Sequence, residues 1–137
     1  MTNHEAYLQE LNELAATVVM GWHKVPIGMP VWADANEEWE STVARWHPCQ
    51  NEPQAWTLVD KVLAAKLNKD DMPILRFYMY YGGPMWDMMW NIWFGVPEWL
   101  DIPGARSWRA HDEKRPVAIT KAAIIASGGE LPEHVEA

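Results

Sequence analysis

The segment "RSWRAHDEKR", residues 106–115, sets Arg106 and Arg109 on either side of Trp108, with His111, Lys114 and Arg115 close behind. With Lys121, five of the eleven Lys and Arg side chains fall between positions 106 and 121. Aromatic planes beside guanidinium forks suit nucleotide recognition, because a base stacks on the ring and a phosphate takes paired N–H donors. Three residues outside the segment extend this set of candidates. Arg76 lies in a predicted strand, Trp93 on the mixed face of the next one, and Trp99 in the loop that follows. Lys114 and Arg115 lead into a predicted helix whose N-terminus itself favours an anion. The competing reading is that these cations pair with the chain's 19 Asp and Glu residues. The net charge of −8 argues against duplex DNA or an anionic membrane as the main partner, since both require a basic footprint.

Nucleophilic and metal chemistry find less support. His47 and Cys49 stand two apart in "HPCQ", ahead of a predicted helix N-terminus that could stabilise a thiolate. No further His, Asn or Asp stands in a recognisable nucleophile context, so a structural cysteine is the simpler reading. His4, His23, His47, His111 and His134 are scattered without metal-ligand spacing. P-loop, dinucleotide and HExxH patterns are absent. Glu37, Glu38 and Glu40 read as a solvated face. The sequence therefore implies no catalytic residue, metal or cofactor.

The chain has ten tryptophans, where average usage would give about two. Trp22, Trp56, Trp86 and Trp90 fall on apolar stripes and are assigned to the core. Trp32, Trp39, Trp46, Trp93, Trp99 and Trp108 fall in predicted loops or on mixed strand faces. Aromatic excess outside a core marks an interface or a ligand platform, because rings bring large contact area at little rotamer cost.

These side chains must be held by elements that periodicity outlines. A helix spans "NHEAYLQELNELAATVVMGW" with Leu8, Leu11, Ala15, Val18 and Trp22 on one face, Asn3 as cap and Gly21 as stop. Residues 23–46 read as irregular, with a short extended pair formed by Val31–Trp32 and Val43–Trp46. A second helix, "NEPQAWTLVDKVLAAKL", has Asn51 as cap, Pro53 in its first turn, and Ala55, Leu58, Val59, Val62 and Leu63 buried. Period-two alternation on both sides of "GGP" predicts a β-hairpin, with Trp86, Met88, Trp90, Ile92 and Phe94 on its apolar side. "GVPEWLDIPGA" is a loop and "RSWRAH" a third strand. "RPVAITKAAIIASGG" is a final helix with Ala118, Ile119, Ala122, Ile125 and Ala126 inward and Gly128 as stop. The expected fold class is α+β, a small antiparallel sheet of about three strands sandwiched by helices in one domain over residues 1–137, frayed after 131.

Three segments resemble the phage ABA sandwich domain family. They are "VMGW" at Val19–Trp22; "WHPCQNEPQAWTLVDKVL", through Ala55, Trp56 and Val59; and "RPVAITKAA", through Pro116, Ala118, Ile119, Ala122 and Ala123. They stand in order at the start, middle and end of the chain. The Trp- and Met-rich hairpin between them departs from the family pattern. The resemblance implies a helix–sheet–helix architecture and a phage origin, and it implies no activity. Some small phage proteins act in counter-defence by holding a host nucleotide signal without cleaving it.

The functional expectation is a non-catalytic protein that sequesters a small anionic nucleotide-type ligand. Its expected ligand-binding residues are Trp108, Arg109, Arg106, Arg76, His111, Arg115, Trp93 and Trp99. The alternative is an acidic, Trp-rich inhibitor that docks on a host protein. A homo-oligomer is expected from the surplus of apolar surface. A cytoplasmic location in an infected bacterial host follows from the single cysteine, the absence of a signal-peptide pattern and the lack of any apolar run of spanning length.

Overall fold

A computed structural model describes residues 2–69, 76–84, 88–95 and 107–133. The expectations placed on Trp86, Trp99, Arg106, the loop between the last two strands and the C-terminal tail lie outside these residues.

Helix α1, Asn3–Leu14, is capped by Thr2 rather than Asn3. The Thr2 hydroxyl accepts from Glu5 N at 3.1 Å, and the Glu5 carboxylate accepts from Thr2 N at 3.0 Å. This reciprocal pair satisfies two groups that Asn3 could not. After Leu14 the helix widens into a π turn, Ala15–Val19, in which Met20 N donates to Ala15 O at 3.1 Å. A π turn holds one residue more than an α turn, so the buried stripe runs Tyr7, Leu11, Ala15, Val19 and the expected Val18 gives way to its neighbour. Gly21, at φ 72°, ends the element as expected.

Residues 23–42 form a three-stranded antiparallel sheet of β1 (His23–Val25), β2 (Val31–Ala33) and β3 (Trp39–Thr42). The expected pairing of Val31–Trp32 with Val43–Trp46 is corrected: Val31 lies opposite Thr42 and Trp32 opposite Ser41. Arg45 N donates to both Thr42 O and Thr42 Oγ1, and Trp46 N also donates to Thr42 O, so residues 43–45 fold into a turn. This sheet is an addition to the single sheet expected.

Helix α2, Glu52–Lys69, starts where Asn51 Oδ1 accepts Gln54 N at 3.1 Å, the expected cap. Ala55, Leu58, Val59 and Val62 are buried on it. The hairpin is present as β4 (Arg76–Gly82) and β5 (Met89–Gly95), and β6 (Ser107–Asp112) adds to β5 to make a second antiparallel sheet in the order β4-β5-β6. Helix α3, Arg115–Ala126, carries Pro116 in its first turn and closes on Gly128 at φ 89°. There Gly129 N donates to Ile124 O and Gly128 N to Ile125 O, the two bonds of a Schellman stop.

The α+β class and the packing of a sheet against helices are thus present. Helix α3 is the hub, touching β5, β6, α1, the π turn and α2. Val117, Ala118, Ile119, Thr120, Ala122, Ala123, Ile124 and Ala126 are all buried, so α3 is enclosed on nearly every side rather than on one stripe. Helices pack on the Ile92/Phe94 face of the second sheet. The opposite face carries the exposed Tyr80, Arg109 and His111.

Two tryptophans assigned outside the core are buried in it. Trp32 is 2% exposed and Trp46 6%, whereas Trp56, assigned to the core, is 36% exposed. Trp46 meets Trp22 edge-on at 4.7 Å and donates Nε1–H to Asn12 O at 2.9 Å. The indole N–H finds a helix carbonyl inside, and this removes the cost that would keep it at the surface. No helix among the described residues is long and apolar enough to cross a membrane.

Candidate functional site

Register decides which of the expected site residues can meet. Across the second sheet Tyr78 lies opposite Trp93, and Trp93 opposite Arg109; the next outward row is Tyr80, Asn91 and His111. Side chains alternate along a strand, so these rows share one face with Arg76 and Ser107. Tyr78 and Trp93 stack at 4.9 Å with 15° between planes, and Tyr80 meets Trp93 edge-on at 5.7 Å. The Arg109 guanidinium carbon lies 5.4 Å from the Trp93 ring centre. The outward positions are Arg76, Tyr78, Tyr80, Gly82, Met89, Asn91, Trp93, Gly95, Ser107, Arg109 and His111, and none of them is acidic. A chain of net charge −8 thus presents one sheet face with two arginines, a histidine and three aromatic rings.

Two expected members stand apart from this face, one by the same alternation and one by an ion pair. Trp108 lies opposite Phe94, which lies opposite Phe77, on the inner face and is half-buried against the core. It cannot form a platform beside Arg109, because adjacent strand residues point to opposite faces. Arg115 binds Glu52 bidentately, with Nε to Oε1 at 2.6 Å and Nη2 to Oε2 at 2.7 Å, and its guanidinium sits 4.9 Å from the Trp90 ring centre. The Glu52 carboxylate raises the Arg115 pKa above its usual value. At the α3 N-terminus, then, a carboxylate of the chain itself holds the cation, and the pairing of cations with acids is correct for Arg115. Lys121 likewise binds Asp112 at 2.9 Å. Arg76, Trp93, Arg109 and His111 remain together on one face; Trp108 and Arg115 lie apart from them. Arg106 and Trp99 lie outside the described residues.

Tyr78 and Tyr80 were not among the expected site residues. The signal for them is in the sequence: "RFYMYY" alternates, so Arg76, Tyr78 and Tyr80 share a side.

The other chemistries resolve structurally. Cys49 is buried, and burial pushes its thiol up to about 12, so it is no thiolate at neutral pH. Its backbone N–H donates to Asn12 Oδ1 at 3.0 Å. Carboxylate oxygens of Asp34 and Glu38 in the β2–β3 turn and of Glu40 at the start of β3 come within 4.8 Å of one another. Asp34 Oδ1 accepts Asn36 N at 2.8 Å and Glu38 N at 3.0 Å, and the Glu38 N–H leads the causes that lower the Asp34 pKa. The hydrogen bond to Asp34 raises that of Glu40. This is the chemistry of a closed turn at the surface.

No protein-family model, curated protein or solved structure matches this chain.

Proposed function

We propose that the protein is a non-catalytic binding protein that holds a small anionic nucleotide-type ligand on the outer face of β4–β6. The observation that carries this reading is the Tyr78–Trp93–Arg109 row, flanked by Arg76 and His111, among outward strand positions that hold no acidic residue. Rings offer stacking area to a base, and the arginines offer forked donors to phosphate. With no activated nucleophile in the reading, the ligand is held and released intact. Together with the resemblance to the phage ABA sandwich family, this suggests sequestration of a host nucleotide signal in the cytoplasm of an infected bacterium.

Thermal unfolding against linear, cyclic and ADP-ribose-derived nucleotides tests the proposal, with the recovered ligand checked by chromatography. A ligand at a hundredfold excess over Kd adds about 2.7 kcal/mol of stability. Arg109→Ala should weaken binding at least tenfold while the fold persists. A flat panel, a cleaved ligand, or unchanged binding in that variant would each reject the reading.

One observation favours a second reading. Tyr80 and Tyr81 are each 52% exposed and Met88 37%, an aromatic and thioether surface at the hairpin that suits a protein partner or a second copy of the chain. A flat nucleotide panel together with one host protein recovered by pull-down would replace the first reading with this one.

A further inference from the structure

The outer face of β4–β6 holds a polar side chain whose orientation is fixed and whose acceptor is unused. Asn91 lies on the middle strand, opposite Tyr80 on one neighbour and His111 on the other. Its Nδ2 donates to Met89 O at 3.1 Å and to Gly82 O at 3.3 Å, which uses both amide hydrogens. Turned over, the amide would press its oxygen against two carbonyl oxygens, so donor and acceptor cannot exchange places. Asn91 Oδ1 accepts no hydrogen bond among the described residues, and it is not one of the two buried orphans, Trp32 Nε1 and His47 Nδ1. Solvent therefore reaches it.

The rings beside it are not equally available. Trp93 stacks on Tyr78 of β4 at 4.9 Å, the spacing of adjacent strands, and carries the Arg109 guanidinium of β6 at 5.4 Å. These two neighbours come from opposite sides, so both faces of the indole are taken. Tyr80 is 52% exposed and meets Trp93 edge-on. Its ring lies against Gly82, where a Cβ would come within 3.2 Å of Tyr80 Cε2, so the glycine makes room for it. Tyr80 and Asn91 Oδ1 are thus a stacking surface and a fixed acceptor on adjacent strands. Arg109 and His111 lie on β6, two strand spacings or about 10 Å from β4. One nucleotide spans that distance from base to phosphate.

A carbonyl acceptor selects an N–H donor. The ring N–H groups of uracil and hypoxanthine sit beside carbonyl oxygens, which Oδ1 repels, whereas an exocyclic amine projects clear of the ring. We infer that Asn91 makes the outer face selective for a nucleotide with an amino-bearing base, adenine, guanine or cytosine, which stacks on Tyr80 while its phosphate takes Arg109. The inference rests on the reading of this face as a nucleotide site and adds which bases it takes.

Calorimetric titration of the full chain with AMP, GMP and CMP, beside IMP and UMP, tests it. IMP lacks the amines of AMP and GMP, and UMP lacks that of CMP. At least one amino nucleotide should bind about tenfold more tightly than its counterpart. Asn91→Ala should bring that ratio close to one; a merely structural role for Asn91 would lower all affinities together and keep the ratio. Tyr80→Ala removes the stacking surface and should weaken every nucleotide while preserving the ratio, and an exposed ring can be removed without loss of the fold. Equal affinity for amino and oxo nucleotides, a ratio that survives Asn91→Ala, or full affinity in Tyr80→Ala would each overturn the inference and leave the reading of the face intact. Binding of none of these nucleotides would overturn it too, and the wider panel with Arg109→Ala then decides the reading of the face separately.

Discussion

Single residues here are set by what they are buried against. Cys49 shows it most directly, since burial and the nearby Asp112 charge raise its pKa from 9.0 to about 12. A group whose pKa is higher folded than unfolded favours the native state fully below the unfolded value and loses that contribution as pH rises towards the folded one. The stability of the wild type should therefore fall between pH 9 and 12 by up to about 1.4 kcal/mol per pH unit more steeply than that of Cys49→Ala. Denaturant titrations of both proteins across that window check it, and parallel slopes would refute it. The tryptophans were the least legible residues in the sequence. Trp32 and Trp46 looked peripheral because their neighbours are prolines, acids and turn formers, and nothing local reveals that Asn12 O waits for the Trp46 N–H 34 positions away. Trp108 shows the reverse. Its placement on the other face of the sheet from Arg109 was readable from strand alternation alone, and the clustering of "RSWR" in sequence concealed it.

At the level of elements, the three helices and the hairpin followed from periodicity, and the caps at Asn51, Gly21 and Gly128 followed from residue chemistry. Two features escaped it. The π turn Ala15–Val19 moves the buried stripe by one residue, which no regular period can show. The first sheet has strands of three and four residues, too short to display alternation. The segment between β3 and α2 has almost no regular structure and is held instead by Asn12, which reaches from the middle of α1 to Cys49 N and Gln50. Asn12→Ala would leave the Cys49 N–H buried without an acceptor. The expected loss is about 2 kcal/mol, against about 0.5 kcal/mol for Gln50→Ala, which exposes its partner to water. Chemical denaturation of the two variants measures this, and equal losses would show that Asn12 is not the anchor.

For the molecule as a whole, the α+β class was legible because helices and hairpin each announce a buried face, and those faces have to meet. The candidate ligand face was legible in part. Its charges and rings were visible in the sequence, but the sorting of Trp93 and Arg109 from Trp108 and Arg115 needed the register of three strands and the reach of Glu52. The enclosure of α3 has a consequence for how the protein is made. A ribosome releases β4, β5 and β6 before it releases α3, yet Ile92 and Phe94 need α3 as their cover. Until residues 115–126 emerge, the inner side of that aromatic sheet lacks its main cover. A chain ending at Lys114 should accordingly show no cooperative thermal transition and should bind a hydrophobic dye, whereas the full chain should unfold cooperatively and leave the dye unbound; a cooperative transition in the shortened chain would show that the sheet and first two helices stand alone. Synthesis of this protein thus passes through an interval, closed only by its last helix, in which its stickiest surface is also its least protected.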